Sequence, residues 1–431
     1  MPKGKKKSKT SGNFHPKIET NLLNSEEESN IDNASVISVA SDSRYGSDDG
    51  TWGEPEIEES PIYDDFEEKL KEAIDGTNQK SAKGRQVCLE AVRKALSTRY
   101  MCDFIVERKI TVCDMLERSL KRGKGDEQGS AALLTASICI QLGVGSDSEE
   151  IFLELQPYLV KVLLDPTALP ETRQKCATAL GVCCFITDVG GDVITSTMDA
   201  LQSVFSSSFL KGNGVPPSHP PDVTALHSTA LTAWSLLLTV LSMNQILALT
   251  KSHLKRLPEL LESSDLELRI AAGECIAIFY ELIREYKNDY EGENITDLCN
   301  KLHDLATDCH KSRAKKDRRQ QRSSFRDILK AVENGETPDI RIKFGRETLY
   351  IDSWCRKHQY DAFCQLLGSG MNLHLSVNEL MRDIFELGPL IDTGLTPKIS
   401  KMERNVANAA ACKARTRTRG KLRDKRADVI R

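Results

Sequence analysis

Five segments with the same residue pattern recur through the middle of the chain, and this recurrence constrains the fold more than any other feature. Each begins with polar or basic residues, continues with small ones and ends with Leu, Ile, Val or Phe. The segments are 83–96, 127–142, 172–186, 226–240 and 268–283, and their starts lie 44, 45, 54 and 42 residues apart. The long interval contains a Gly- and Pro-rich stretch that reads as an inserted loop. A period of about 44 residues is typical of armadillo and HEAT arrays, so the sequence predicts an all-α helical repeat solenoid.

The composition agrees with packed helices. Aromatic residues make up 6% of the 431 residues, and the apolar positions are mostly Leu, Ile, Val and Ala, which disfavours an all-β fold. The 13 cysteines include no CxxC pair, and no N-terminal apolar stretch resembles a secretory signal. We therefore expect a reducing environment, with thiols such as Cys183 and Cys184 in the core.

Motifs that carry enzymatic chemistry are missing from the sequence, which has no GxGxxG, GxxxxGK[ST], GxSxG, HExxH or EF-hand loop. Cys299 and His303 share one helix face at i and i+4. Cys309 and His310 are adjacent, however, which makes convergence on a tetrahedral zinc ion difficult. We predict no enzymatic activity, cofactor, metal or small-molecule substrate.

Residues 223–250 contain no charged side chain, which invites a membrane interpretation. They include His227, Ser235 and Asn244, however, and these polar groups would need partners in lipid. A repeat helix that is covered on most sides explains the run, so we predict no membrane association.

Charge is unevenly distributed behind the formal net charge of −4. Residues 26–68 contain 15 acidic residues and one basic residue. Residues 311–326 contain eight basic residues and one acidic residue, and residues 401–431 contain eleven basic and three acidic ones. Such blocks indicate separate electrostatic tasks.

The first 62 residues are poor in apolar side chains, so we predict a disordered acidic and Ser-rich tail. Its Lys-rich start is a candidate import or RNA-contacting arm. Ser25 and Ser29 precede acidic residues and are candidate phosphorylation sites. The alternative is a tail that only increases solubility.

The basic segment after the repeats precedes a helical apolar stripe that includes Phe325, Ile328 and Val332. We interpret its cations as a phosphate-binding surface, because the single acid in the run cannot neutralise them. The alternative is a solvated helix face paired with nearby acids. The candidate residues are Lys311, Arg313, Lys315, Lys316, Arg318, Arg319 and Arg322.

A small module follows at 336–395. The pattern predicts a short extended segment over 340–344, a helix over 349–367 and a helix over 378–387. Gly368 and Gly370 are expected to end the first helix. We expect Trp354 and Tyr360 to be core residues.

The tail at 396–431 predicts a helix that begins at Thr396 and Pro397 and continues through an Ala-rich stretch. At about 100° per residue, its cations point most of the way round the helix, as would suit a cavity walled by phosphates. The alternatives are a nuclear import signal and a nonspecific polybasic tail. The candidate residues are Lys413, Arg415, Arg417, Arg419, Lys421, Arg423, Lys425 and Arg426.

Several motifs together resemble one known family over roughly residues 65–431. They are SAKGRQVCLEAVRKAL (81–96), LKRGKGDEQ (120–128), RIAAGE (269–274), RAKKDRRQQRSSFRDIL (313–329), IKFGRETLYIDSW (342–354), LGSGM (367–371), FELGP (385–389) and KARTRTRGKLRDKRAD (413–428). With them, the chain resembles the interferon-related developmental regulator family. The resemblance implies armadillo-type proteins without enzymatic activity. One branch resembles ribosome-binding inhibitors of translation that put a C-terminal helix into the mRNA exit path, and the other resembles nuclear transcriptional co-regulators.

We therefore predict four regions: a disordered tail (1–62), armadillo-like repeats (63–335), a small C-terminal module (336–395) and a basic C-terminal helix (396–431). The favoured function is translation inhibition, with the ribosome and its rRNA as partner. The alternative is a nuclear scaffold in differentiation that recruits transcription or chromatin proteins through the concave groove of the array. We expect the protein in cytoplasm and nucleus.

Overall fold

The structure, a computed structural model, describes residues 61–308 and 314–390. Packing divides the chain into two units, Met1–Glu72 and Ala73–Arg431. The described part of the first unit, residues 61–72, is the start of a helix in which Lys71 Nζ lies 4.0 Å from Glu67 Oε2, one turn away. All of the following contacts lie within the second unit.

Sixteen α-helices and one two-stranded sheet are found among the described residues. The first thirteen helices are α1 (Pro61–Gly76), α2 (Ala82–Thr98), α3 (Cys102–Glu107), α4 (Lys109–Arg122), α5 (Asp126–Leu142), α6 (Ser146–Leu164), α7 (Pro170–Ile186), α8 (Gly191–Phe205), α9 (Pro221–Leu238), α10 (Met243–Leu249), α11 (Leu266–Tyr286), α12 (Ile295–Thr307) and α13 (Lys315–Asn334). They are followed by β1 (Ile340–Phe344), β2 (Glu347–Ile351), α14 (Trp354–Leu367), α15 (Met371–Val377) and α16 (Glu379–Ile384).

Helices α2, α5, α7, α9, α11 and α13 stack side by side and form what we call the inner layer. Helices α4, α6 and α8 pack on one another and against this layer, while α10 and α12 cover α11 and α13. The first five inner helices contain the five recurrent segments of the sequence. The predicted all-α solenoid is confirmed.

The repeats begin where the sequence supplies helix starts. The Ser81 hydroxyl accepts a hydrogen bond from Gly84 N (3.2 Å) at the start of α2, and the Asp265 carboxylate accepts one from Leu268 N (2.8 Å) at the start of α11. Helices α7 and α9 each begin with a proline, which lacks the N–H that a helix start leaves unbonded.

Close helix contacts explain the small residues in the repeats. A Cβ on Gly181 of α7 would lie 2.8 Å from the Cβ of Ala233 on α9, and one on Gly273 of α11 would lie 2.8 Å from Ile328 Cδ1 on α13. The inner helices can approach closely only because these positions have no side chain.

The core predictions for single residues are largely confirmed. Cys183 and Cys184 are buried, as is Trp354, whereas Tyr360 is half-buried. The apolar run at 223–250 contains α9, a buried inner helix. Among the described residues, no helix has the length and apolar character required to cross a membrane.

The C-terminal module differs from the sequence prediction at two places. Residues 349–351 belong to β2 rather than to a helix, because Gly345, at φ +50°, and Arg346 form a tight turn that pairs Phe344 with Glu347. The helix starts later, at Trp354, where the Ser353 hydroxyl accepts a hydrogen bond from Arg356 N (3.0 Å).

The second difference is that α16 ends at Ile384, before the predicted end at 387, and that an additional short helix, α15, precedes it. Asn378 separates them because its side-chain oxygen accepts a hydrogen bond from Leu380 N (2.9 Å) and so starts a new helix. Its amide nitrogen donates to the Ile140 carbonyl oxygen (2.9 Å), which ties the module to α5.

Helix α14 lies on the inner layer and contacts α2, α5, α9 and α11. Its start is held by Glu281 of α11, whose carboxylate accepts hydrogen bonds from Trp354 N (2.6 Å) and Cys355 N (3.3 Å). Further along, His358 Nε2 lies 2.8 Å from the Thr232 carbonyl oxygen. This side of the inner layer is therefore covered in part by the protein's own C-terminal module, with a cavity of about 270 Å³ left between α7, α9 and α14.

Candidate phosphate-binding surface

Helix α13 positions the basic residues because one side of it is anchored in the core. Phe325, Ile328 and Val332 are fully buried against α11 and α12. Polar contacts fix the helix at both ends: Arg269 donates to Gln321 Oε1 (2.7 Å), and Arg284 donates to the Val332 carbonyl oxygen (2.6 Å). The remaining face of α13 is free to carry charge.

Five cations share that face at the spacing i, i+4, i+7, i+11 and i+15. At about 100° per residue, they fall within about 80° of one another, well away from the buried residues. They are Lys315, Arg319, Arg322, Arg326 and Lys330. We call the first four of these the α13 stripe, and it is about 16 Å long at about 1.5 Å per residue.

The α13 stripe is not neutralised by the chain around it. Within the described residues, none of its four cations lies within ion-pair distance of a carboxylate. Lys330 is different, since its Nζ lies 3.3 Å from Glu336 Oε2. Lys315, Arg319 and Arg326 are exposed, whereas Arg322 is half-buried. Because an exposed cation without a carboxylate partner retains its attraction for phosphate, the first three turns of α13 are the part suited to bind a polyanion.

The other described candidates lie around the stripe rather than on it. Lys316 is exposed on an adjoining face and has a polar partner of its own. Arg318 is half-buried, and its Nε is enclosed without a hydrogen-bond partner among the described atoms. Its backbone carbonyl accepts a hydrogen bond from Arg322 Nε (3.2 Å). Arg318 is therefore a less accessible contact than Lys315, Arg319 and Arg326.

Arg326 was part of the basic run, but neither it nor Lys330 was among the predicted phosphate-binding residues. Its spacing of eleven residues from Lys315 and seven residues from Arg319 was the signal in the sequence that places Arg326 on the same face.

The remaining predicted residues lie outside the described part of the chain and stay predictions. They are Ser25, Ser29, Lys311, Arg313, Lys413, Arg415, Arg417, Arg419, Lys421, Arg423, Lys425 and Arg426. Cys309 and His310 lie outside it as well. Among the described residues, no three His, Cys, Asp or Glu side chains converge in a way that could hold a metal ion.

One buried pair resembles the start of a catalytic constellation. Ser208 Oγ lies 2.7 Å from His227 Nδ1, and both residues are buried. Burial lowers the pKa of His227 to about 4, with His219 contributing in the same direction. Neutral His227 on α9 packs edge-to-face against His219 of the inserted loop, whose Nε2 also lies 3.0 Å from the Ser207 carbonyl oxygen. These contacts hold the loop against α9.

Stacked helix pairs, an exposed cation stripe on the last inner helix and a C-terminal module folded onto the array define a helical-repeat protein with a basic surface. The family model described as interferon-related developmental regulator matches residues 33–333, and the model described as interferon-related protein conserved region matches residues 378–427. The chain belongs to the interferon-related developmental regulator family.

Its relatives include both numbered members of that family. The chain is 45% identical over 410 residues to Interferon-related developmental regulator 1 of Homo sapiens, covering 94% of this chain and 90% of that protein. It is 45% identical over 378 residues to Interferon-related developmental regulator 2 of Mus musculus, covering 87% of this chain and 86% of that protein. A crystal structure of an engineered protein matches at 16% identity and a TM-score of 0.40, covering 61% of this chain and 98% of that one.

Proposed function

We propose that this protein binds the ribosome and represses translation, with the α13 stripe and the basic tail both contacting rRNA phosphates. The observation that carries the proposal is the stripe of four cations that has no carboxylate partner among the described residues. Binding of this kind falls steeply with salt, because each phosphate contact releases condensed counterions.

The tail supports the same proposal from its sequence. Eight cations between 413 and 426 distribute charge around a predicted helix, an arrangement suited to a channel lined by rRNA. A partner protein in the groove, as the alternative function requires, would have to share the inner layer with α14 or displace it.

Sedimentation of the tagged full-length protein through sucrose gradients tests the proposal. We expect the protein to comigrate with ribosomes at physiological salt, to leave them when salt is raised and to lower the output of a cell-free translation reaction. Deletion of residues 401–431 should abolish both the comigration with ribosomes and the decrease in translation output. A variant in which Gln replaces the eight tail cations keeps the full chain length and removes only the charge, so it is the matched control for the deletion.

Two results would overturn the proposal. One is full comigration with ribosomes, at physiological salt, of the protein that lacks residues 401–431. The other is retention of cellular function after the tail is exchanged for an unrelated nuclear import signal, because the alternative function needs the tail only for import.

A further inference from the structure

The inner helices run parallel, so their first turns lie along one edge of the inner layer, which we call the start edge. Arg85 near the start of α2 forms two hydrogen bonds with the Glu127 carboxylate at the start of α5 (2.7 and 2.8 Å). At the other ends of these helices, Gln141 donates to the Leu96 carbonyl oxygen (2.6 Å). Equivalent positions of successive repeats therefore lie side by side.

The start edge is basic at α2 and α5. Lys80 lies before α2, Lys83 in its first turn, Arg122 at the end of α4 and Lys124 in the turn before α5; all four are exposed. Exposed Asp126, in the first turn of α5, is the acid beside them. Within the described residues, none of the four forms an ion pair, and Lys83 donates only to the neutral Gln86 (2.9 Å). We call these four residues the N-terminal basic patch.

The fold holds this patch in place. Arg85 also donates to the carbonyl oxygens of Gln79 (3.1 Å) and Lys80 (2.9 Å), so the same guanidinium that binds Glu127 fixes the turn before α2. Glu127 is buried. One arginine thus fixes the turn with Lys80 before α2 beside the first turn of α5, which Lys124 precedes.

Helix α13 begins on the same edge. Gln320 near its start donates to Glu267 near the start of α11 (3.1 Å), and Arg284 near the end of α11 donates to the Ala331 carbonyl oxygen near the end of α13 (2.7 Å). Four inter-helix steps separate α5 from α13. At about 8–10 Å per step, the two basic regions lie about 30–40 Å apart.

Between them, the edge changes sign. Helix α9 starts with exposed Asp222, and the first turn of α11 carries Glu267. The basic regions are therefore two separate sites rather than one continuous band.

We propose that the N-terminal basic patch is a second RNA-contacting site, and that it and the α13 stripe bind one folded RNA surface at the same time. This inference rests on the proposed function, because it takes rRNA as the partner. A folded RNA presents phosphates tens of ångströms apart on a fixed surface, which matches two cationic sites on one rigid stack. Once either site is bound, the other is held at a high local concentration of phosphates.

The test compares three triple variants of the full-length protein, each of which loses three positive charges. The first is Lys80→Gln/Lys83→Gln/Lys124→Gln in the patch, and the second is Lys315→Gln/Arg319→Gln/Arg326→Gln in the stripe. The control is Lys94→Gln/Lys287→Gln/Lys343→Gln, at exposed positions in the second half of α2, just after the end of α11 and in β1, away from the start edge. Purified ribosomes are the probe, and a salt series measures affinity. Hydroxyl-radical footprints of the rRNA report where each variant makes contact, and thermal unfolding checks that each variant folds.

We expect the patch variant to lose about 100-fold in affinity at about 0.15 M salt, since each phosphate contact contributes roughly four- to fivefold there. It should also lose rRNA protections that differ from those lost by the stripe variant. The control should bind like the wild type.

The outcomes separate the two proposals. If the patch variant binds and protects rRNA like the control while the stripe variant does not, the second site is wrong and the ribosome-binding function stands. If the wild type itself does not bind ribosomes, both fail. Equal affinity of the wild type for duplex DNA would overturn the assignment to folded RNA.

Discussion

Removing charge from the α13 stripe should weaken ribosome binding without unfolding the protein. The variant is Lys315→Gln/Arg319→Gln/Arg326→Gln. All three side chains are exposed and form no ion pair within the described residues, and Gln is nearly as good a helix former as Lys or Arg. Thermal stability should therefore stay close to that of the wild type, and any change in binding can be assigned to the surface.

The size of the effect follows from the number of contacts. Each neutralised phosphate contributes about 0.7–0.9 to the slope of log K against log salt, so loss of three lowers the slope by about 2–3. At about 0.15 M salt this corresponds to roughly a hundredfold loss of affinity. At about 1 M salt, the variant and the wild type should converge, because counterion release then contributes almost nothing.

The assay is ribosome sedimentation over a salt series, with Lys94→Gln/Lys287→Gln/Lys343→Gln as the variant of equal charge. A stripe variant with the affinity and salt slope of this control would refute the argument that unpaired cations on α13 contact phosphate. An equal loss in both variants would instead assign binding to net charge rather than to the stripe.

Three further predictions concern stability, measured by denaturant unfolding. Burial raises the pKa of Glu281 from 4.5 to about 6. The protonated carboxyl group therefore stabilises the folded state at low pH, and this contribution to stability is lost as pH rises towards neutrality. As pH rises from 4 to 7, the free energy of unfolding of Glu281→Gln should increase by about 2 kcal/mol relative to that of the wild type. A difference in unfolding free energy that stays constant with pH would contradict this prediction. Gly181→Ala should destabilise the protein by about 1–3 kcal/mol because the added methyl group would lie too close to α9. Gly191→Ala, which has open space around it, should be neutral or slightly stabilising. Equal effects of the two substitutions would refute the packing argument. Arg85→Met should destabilise the protein by about 3 kcal/mol because it leaves the buried carboxylate of Glu127 unpaired. The double variant Arg85→Met/Glu127→Met should destabilise it less. If the double variant were the less stable of the two, the pair itself would be strongly stabilising.

The repeat array could be predicted because its signals are local. Each inner helix carries its own start, its small residues for close contact and its apolar positions within about 17 residues of sequence. The same holds for the apolar stripe of α13 with Phe325 and Ile328, which anchors the basic face. The exposed cations of that face were therefore predicted in large part, except that Arg326 was not assigned to them.

The C-terminal module was predicted less well because competing local patterns overlap in it. Leu349 and Ile351 fit both a helix and an alternating strand, and pairing with β1 decides for the strand. The helix start at Asn378 was predicted, whereas α15 just before it was not; the contact of Asn378 with Ile140 ties this junction to α5. Such choices depend on residues far away in the chain.

The solenoid and the blocks of charge follow from the amino-acid sequence alone, because periodicity and composition are properties of neighbouring residues. The packing of α14 on the inner layer and the position of Lys83, Lys124 and Lys315 on one edge depend instead on the folded arrangement of the helices. That edge exists because successive inner helices pack in parallel, and residues more than 200 positions apart become related by stacking alone.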